Sequence, residues 1–256
     1  MRRSPFVRRL GALTLLNTLL TSDAAIGGLS HGLGLVPRSQ RTVLRRSLAQ
    51  AKPATATEVI TGVTVGAYVA QVATPSLMAL GARSTRLILG AGQWWRLATP
   101  MLLHGSPTHL LVNMLALRNV GGALERAYGS KRTLLVYALA GIGGNVLPVF
   151  IEGASSSVLS VGASGAVAGL VGALAVHLYR HSHLYGKGGL KSIRDTVLMN
   201  AALGMTSHNV DNLAHLGGLL TGAASAVVFG ANWVPIRGAS GRTAHYIDRP
   251  IVRIPI

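Results

Sequence analysis

Ser164 lies in an apolar stretch, residues 157–177, that carries no ionised side chain and is long enough for a membrane-spanning helix of about 20 residues. A serine in such a place has two readings. It can bond back to the carbonyl one turn earlier, as serines in membrane helices do. It can also be a nucleophile, which requires a base within hydrogen-bond reach. Three further polar residues bear on the choice: His109, Asn113 four residues after it, and His215. His109 and Asn113 share one helical face at this spacing. His215, Gly218 and Gly222 form a stripe at i, i+3 and i+7, and Gly218 and Gly222 make a small-xxx-small pair. Gly165 and Gly169 make a second such pair just after Ser164. Packing one glycine face against the other would bring His215 to Ser164, as base and nucleophile without an acid. His109, Asn113 and the Ser164 N–H could then donate to a developing oxyanion. The bland alternative is that these polar groups only tie helices together, at about 0.6 kcal/mol each.

Other hydrolytic chemistries are excluded by residue type. The chain has no Cys, which removes thiol catalysis and disulfides, and no His-Glu-x-x-His run, the zinc protease signature. None of its seven acids falls well inside an apolar span, so an aspartyl pair in the membrane is not expected. His177, His181 and His183 could approach a metal, but an interfacial loop accounts for them. Gly162-Ala163-Ser164-Gly165 is not a full nucleophile elbow, because Ala166 replaces the last glycine. No metal and no cofactor is expected.

The elements that must position these residues follow from composition. Of the 256 residues 49% are hydrophobic and only 12% charged, against about 25% in soluble domains. The expected fold class is an all-α polytopic membrane protein. Six spans are expected: 59–80, 107–124, 133–151, the Ser164 stretch, 193–206 and 213–229. The fifth is short and opens with Arg194-Asp195. A net charge of +17 would point to nucleic acid in a soluble protein. Here the basic residues sit in the N-terminal segment and the short loops, where they set topology, and no nucleic-acid partner is expected. With six spans they crowd onto the side of both termini, leaving only Arg83, Arg86 and Arg96 opposite. Spans two, four and six then start on the outer face, and His109, Asn113, Ser164 and His215 share one depth. Arg118 falls inside span two, where a charge costs roughly 2.5–3.5 kcal/mol on insertion scales.

Residues 1–58 are rich in arginine and poor in acids, which reads as an organelle transit segment rather than a secretory signal. Residues 59–230 form the helical domain, and 231–256 a polar basic tail with Trp233 as an interfacial anchor.

Taken together, Trp95-Arg96, His104 with His109 and Asn113, Gly121-Gly122 with Glu125, Gly162-Ala163-Ser164-Gly165, and Ala214-His215 running through Gly218 to Gly222 resemble the rhomboid family of intramembrane serine proteases. The resemblance covers about residues 90–230 and implies a six-helix rhomboid bundle without a seventh span. It implies that Ser164 is the nucleophile and His215 the base, with His109 and Asn113 as oxyanion partners. It places Trp95-Arg96 in a loop half-submerged in the outer leaflet, and Glu125 in a structural role. The implied activity is cleavage of transmembrane protein substrates within the lipid bilayer. The alternative within the same fold is a catalytically silent, client-binding chaperone, which needs neither Ser164 nor His215. A small transporter or channel would instead need polar residues along a continuous path. The residues around Ser160 and 209–215 are similar to plant and algal organellar members, which favours the plastid inner envelope over the mitochondrial inner membrane. Oligomeric state is not legible.

Overall fold

The computed structural model describes residues 55–182, 184, 211–237 and 243–253. Residues 1–54 of the expected leader, 1–58, and the expected fifth span, 193–206, lie outside the described residues. Contacts divide the chain into two units, Met1–Gly62 and Val63–Ile256. In the first, Thr55 and Glu58 form a reciprocal capping box: the Thr55 N–H donates to the Glu58 carboxylate (2.9 Å) and the Glu58 N–H to the Thr55 hydroxyl (3.2 Å). This box opens helix α1 (Ala56–Ala73). All the candidate site residues belong to the second unit.

The expected first span is interrupted. α1 stops at Ala73 and a short helix α2 (Ser76–Gly81) follows, because Pro75 lacks the N–H that would continue the ladder. A two-residue strand β1 (Arg83–Ser84), helix α3 (Thr85–Ala91) and two 3-10 turns (Trp94–Leu97 and Thr99–Leu102) make up the connection. In it Trp95 is exposed, while Arg96 is buried and donates to the Ala82 carbonyl (2.6 Å) and to Gln93 Oε1 (2.7 Å).

The expected second span comprises α4 (Pro107–Ala116), a π turn (Leu117–Gly121) and α5 (Gly122–Tyr128). Its start is set by Ser106, which accepts the His109 N–H at 3.1 Å, with Pro107 at the first helical position. Leu117 and Leu124 are fully buried, whereas Arg118 lies exposed on the π turn. Helix α6 (Ser130–Glu152) follows, then strand β2 (Leu159–Ser160), which pairs antiparallel with β1, and helices α7 (Ser164–Arg180) and α8 (Asn212–Phe229). α6 and α8 are each long and apolar enough to cross a membrane. Large apolar side chains point outward from both, Phe150 at 82% exposure and Leu220 at 58%.

The core is the mutual packing of α6, α7 and α8 through glycine. A Cβ on Gly218 would land on the Gly165 carbonyl, one on Gly222 on the Gly169 carbonyl, and one on Gly172 on the Leu219 carbonyl. Added at Gly144 it would sit 2.8 Å from the Ala214 carbonyl oxygen. Backbones this close gain dispersion along their whole length, which is how membrane helices associate where no hydrophobic force drives them together. The glycine faces thus meet as the i, i+3, i+7 pattern requires.

After α8 the chain forms a hairpin, β3 (Trp233–Arg237) with β4 (Thr243–Asp248). Composition alone predicts a polar basic tail here, anchored by Trp233, and no hairpin. Arg132 of α6 forms an ion pair with Asp248. His177 and His181, expected in an interfacial loop, are instead buried beside Tyr128 and Trp233. The His181 Nε2 accepts the Trp233 N–H at 2.9 Å and its Nδ1 donates to the His177 carbonyl at 2.8 Å, so backbone groups engage both ring nitrogens.

Candidate active site

The key side chains stand at the start of three helices. Ser164 opens α7 at its first position, so its N–H has no acceptor within the helix. His109 is the third residue of α4, held there by the Ser106 cap. His215 is the fourth residue of α8. Asp211 caps that helix, its Oδ1 accepting the Ala214 N–H at 2.9 Å and its carbonyl the His215 N–H at 3.0 Å.

His215 Nε2 lies 2.8 Å from Ser164 Oγ. The glycine contacts explain the distance: His215 is three residues before Gly218, and Ser164 immediately precedes the Gly165 carbonyl on which Gly218 rests. The pair joins residues 51 positions apart. A hydroxyl and an imidazole nitrogen at this separation can exchange a proton.

The loop entering Ser164 is fixed from three sides. The Gly162 N–H donates to the Pro100 carbonyl at 2.9 Å, and the Ala163 N–H to His104 Nε2 at 3.4 Å. His104 is itself held by Gln71, whose Nε2 donates to its carbonyl (2.8 Å) and whose Oε1 accepts its N–H (3.1 Å). The His104 ring is fully buried, and that burial, aided by the neighbouring His109, pushes its pKa down to about 4. Neutral His104 keeps Nε2 free to accept the Ala163 N–H. Gly162 sits at φ 130°, where side chains are strained, and a Cβ there would meet the His109 ring at 2.7 Å. Only glycine lets that ring lie against the backbone two residues before Ser164.

His109 Nδ1 accepts the Gly105 N–H at 3.4 Å, which puts the proton of the neutral ring on Nε2, the nitrogen on the Gly162 side. Asn113 is buried one turn further on, and its Nδ2 donates to the His109 carbonyl at 2.9 Å. The structure therefore bonds Ser164 to His215, sets His109 against the serine loop, and ties Asn113 to His109 rather than to the dyad. The anchors Gln71, Pro100 and Asp211 were missed by the sequence reading. Asp211 alone had a signal, as an acid immediately before a helix start.

Residues 91–232, more than half of the chain, match the Rhomboid domain. The chain belongs to the rhomboid family. It is a mostly helical membrane protein of that family. It is 39% identical over 169 residues to Rhomboid protease GluP of Bacillus subtilis (strain 168), a match covering 66% of this chain and 32% of that protein. It is 36% identical over 156 residues to RHOMBOID-like protein 1 of Arabidopsis thaliana, covering 60% of this chain and 39% of the relative. Against RHOMBOID-like protein 6, mitochondrial, of the same plant, identity is 38% over 149 residues, 57% of this chain and 47% of the relative. The chain thus spans about a third to a half of the length of these relatives.

Proposed function

We propose that this rhomboid is an intramembrane serine endopeptidase that cleaves transmembrane segments of other proteins near their outer end. The observation that carries the reading is the 2.8 Å contact between His215 Nε2 and Ser164 Oγ. Ser164 attacks the scissile carbonyl carbon while its proton passes to His215. The same proton then goes to the departing amine nitrogen, and water hydrolyses the acyl-enzyme with His215 again as base. The oxyanion is met by the Ser164 N–H at the positive end of α7, by His109 Nε2–H, and by the second Asn113 N–H, the first being spent on the His109 carbonyl. A silent client-binding protein would have no use for the Ser164–His215 bond.

The oxyanion assignment has its own expected result. His109→Ala or Asn113→Ala lowers kcat by roughly 10²–10³-fold with KM nearly unchanged, as for one lost oxyanion donor. Steady-state cleavage of a membrane-spanning substrate in reconstituted vesicles measures the split. A rise in KM at constant kcat would assign both residues to substrate binding instead.

The catalytic domain, residues 59–230, crosses the bilayer six times, with a short fifth span at 193–206 that tilt or a locally thinned bilayer accommodates. A short span costs only fractions of a kcal/mol per Å of mismatch. Residues 1–58 are its transit segment, 231–256 its basic tail, and the plastid inner envelope its membrane, with the mitochondrial inner membrane as the rival address. The arginine-rich, acid-poor leader supports an organelle destination. Single cysteines in this cysteine-free chain at Ser182 and Ser240 should react with an impermeant thiol reagent from one face, and one at Ser157 from the other. Reaction of Ser240→Cys together with Ser157→Cys would place the start of α8 across about 30 Å of hydrocarbon from Ser164 and refute the topology.

A further inference from the structure

Arg83 is fully buried, yet no part of the proposed chemistry uses it. Its Nη1 donates to Glu152 Oε2 (3.0 Å) and Thr85 Oγ1 (3.2 Å), and its Nη2 to Glu152 Oε1 (3.1 Å) and Asp211 Oδ2 (2.8 Å). Thr85 and Ser156 hydroxyls each add a bond to Glu152 Oε2 at 2.9 Å. The guanidinium thus takes the Glu152 carboxylate through two donors in its planar fork and still reaches a second carboxylate, a fixed bidentate geometry that an ammonium lacks.

What these partners carry gives the network its meaning. Asp211 is the cap of α8 and lies four residues before His215. Its Oδ1 holds the Ala214 N–H while its Oδ2 faces Arg83, so each oxygen has a separate task. Through its backbone Arg83 pairs with Ser160, four residues before Ser164, in the β1–β2 ladder. One residue therefore grips the cap of the helix bearing the base with its side chain and the loop bearing the nucleophile with its main chain. The remaining arm, Glu152, anchors the guanidinium to the end of α6. An exposed ion pair would fix nothing, since its partners trade freely with water. This arginine has no water to trade with.

We propose that Arg83, acting through Asp211, is a positioning residue that sets the register of the α8 start against the serine loop and so the Ser164–His215 separation. The proposal rests on the proteolytic reading. A misplacement of about 1 Å is enough to cost up to 10²-fold in rate. Removing Arg83 outright leaves two carboxylates uncompensated and endangers the fold. Asp211→Asn is the cleaner variant: its oxygen keeps the helix cap, and its amide replaces the oxygen that accepts from Arg83.

The test follows full-length wild type and Asp211→Asn in detergent micelles, measuring the rate of Ser164 phosphonylation by a fluorophosphonate, kcat and KM on a membrane-spanning substrate, and the thermal unfolding midpoint. The expected result is a roughly 10- to 10²-fold fall in both phosphonylation rate and kcat, with KM and the midpoint unchanged. Arg83→Lys, which keeps the charge but loses the fork, falls between the two proteins in rate. Wild-type rates in Asp211→Asn overturn the clamp, as does a loss that appears only as raised KM or a lowered midpoint. No phosphonylation of the wild type would instead overturn the proteolytic reading and take the clamp with it, so the two failures are distinct.

Discussion

Replacing Ser164 or His215 with Ala is expected to abolish cleavage of a membrane-spanning substrate, a loss on the order of 10⁶-fold, and the double variant is expected to be no worse than either single one. The reason is the single 2.8 Å link between them. Ser164 without a base is an ordinary alcohol, and His215 without the hydroxyl has no proton to take. Residues that act as one unit lose nearly everything with the first deletion. Cleavage rates of the four proteins in proteoliposomes, with substrate-binding affinity as control, measure this. Additive losses would mean that the two side chains act on separate steps, and full activity in either single variant would reject the mechanism.

The second large effect is expected far from any reacting atom. Gly218→Val drives a branched side chain onto the Gly165 carbonyl, where even a Cβ has no room, and the obstacle is backbone that cannot rotate aside. α8 must move away from α7, and His215, one turn earlier on the same face, moves with it. The expected outcome is a kcat loss of about 10²-fold or more from displacement of the dyad, with about 1–3 kcal/mol of overpacking in stability. Gly222→Val, which meets the Gly169 carbonyl one turn further along, should lose comparable stability. Gly66→Ala is the matched control: its Cβ would meet nothing within 4 Å, so activity should be retained. Thermal unfolding and turnover on the same preparations separate the terms. A Gly218→Val protein with wild-type kcat would show that the glycine contact does not set the dyad.

Why some of this was legible in the sequence and some not is a matter of range and period. The glycine stripe from His215 to Gly222 and the Gly165–Gly169 pair repeat at helical spacing, so the faces that meet could be read before any coordinates. A serine and a histidine at the starts of two such helices converge if both helices start on the same face, which the six-span count requires. Arg83 and Asp211 are 128 residues apart and obey no period, and β1 and β2 are only two residues long. Such contacts leave no pattern in a linear chain. The same holds for Gln71 and His104, 33 residues apart, which brace the serine loop. The β3–β4 hairpin was missed because Trp233, Val234, Ile236, Tyr246 and Ile247 form only short β-favouring runs in a segment whose four arginines, Arg237, Arg242, Arg249 and Arg253, read as a basic tail. The sequence places Arg118 inside span two with nothing to offset its charge. It sits instead on a π turn, exposed, where the i to i+5 winding breaks the regular face.

The measurement that bears most directly on the central claim is covalent. Folded protein is treated with a fluorophosphonate, digested, and the modified residue located by mass spectrometry. One phosphonyl group is expected, on Ser164, absent from Ser164→Ala, from His215→Ala and from heat-unfolded protein. Equal modification of wild type and Ser164→Ala, or modification of Ser164 that persists undiminished without His215, would contradict it.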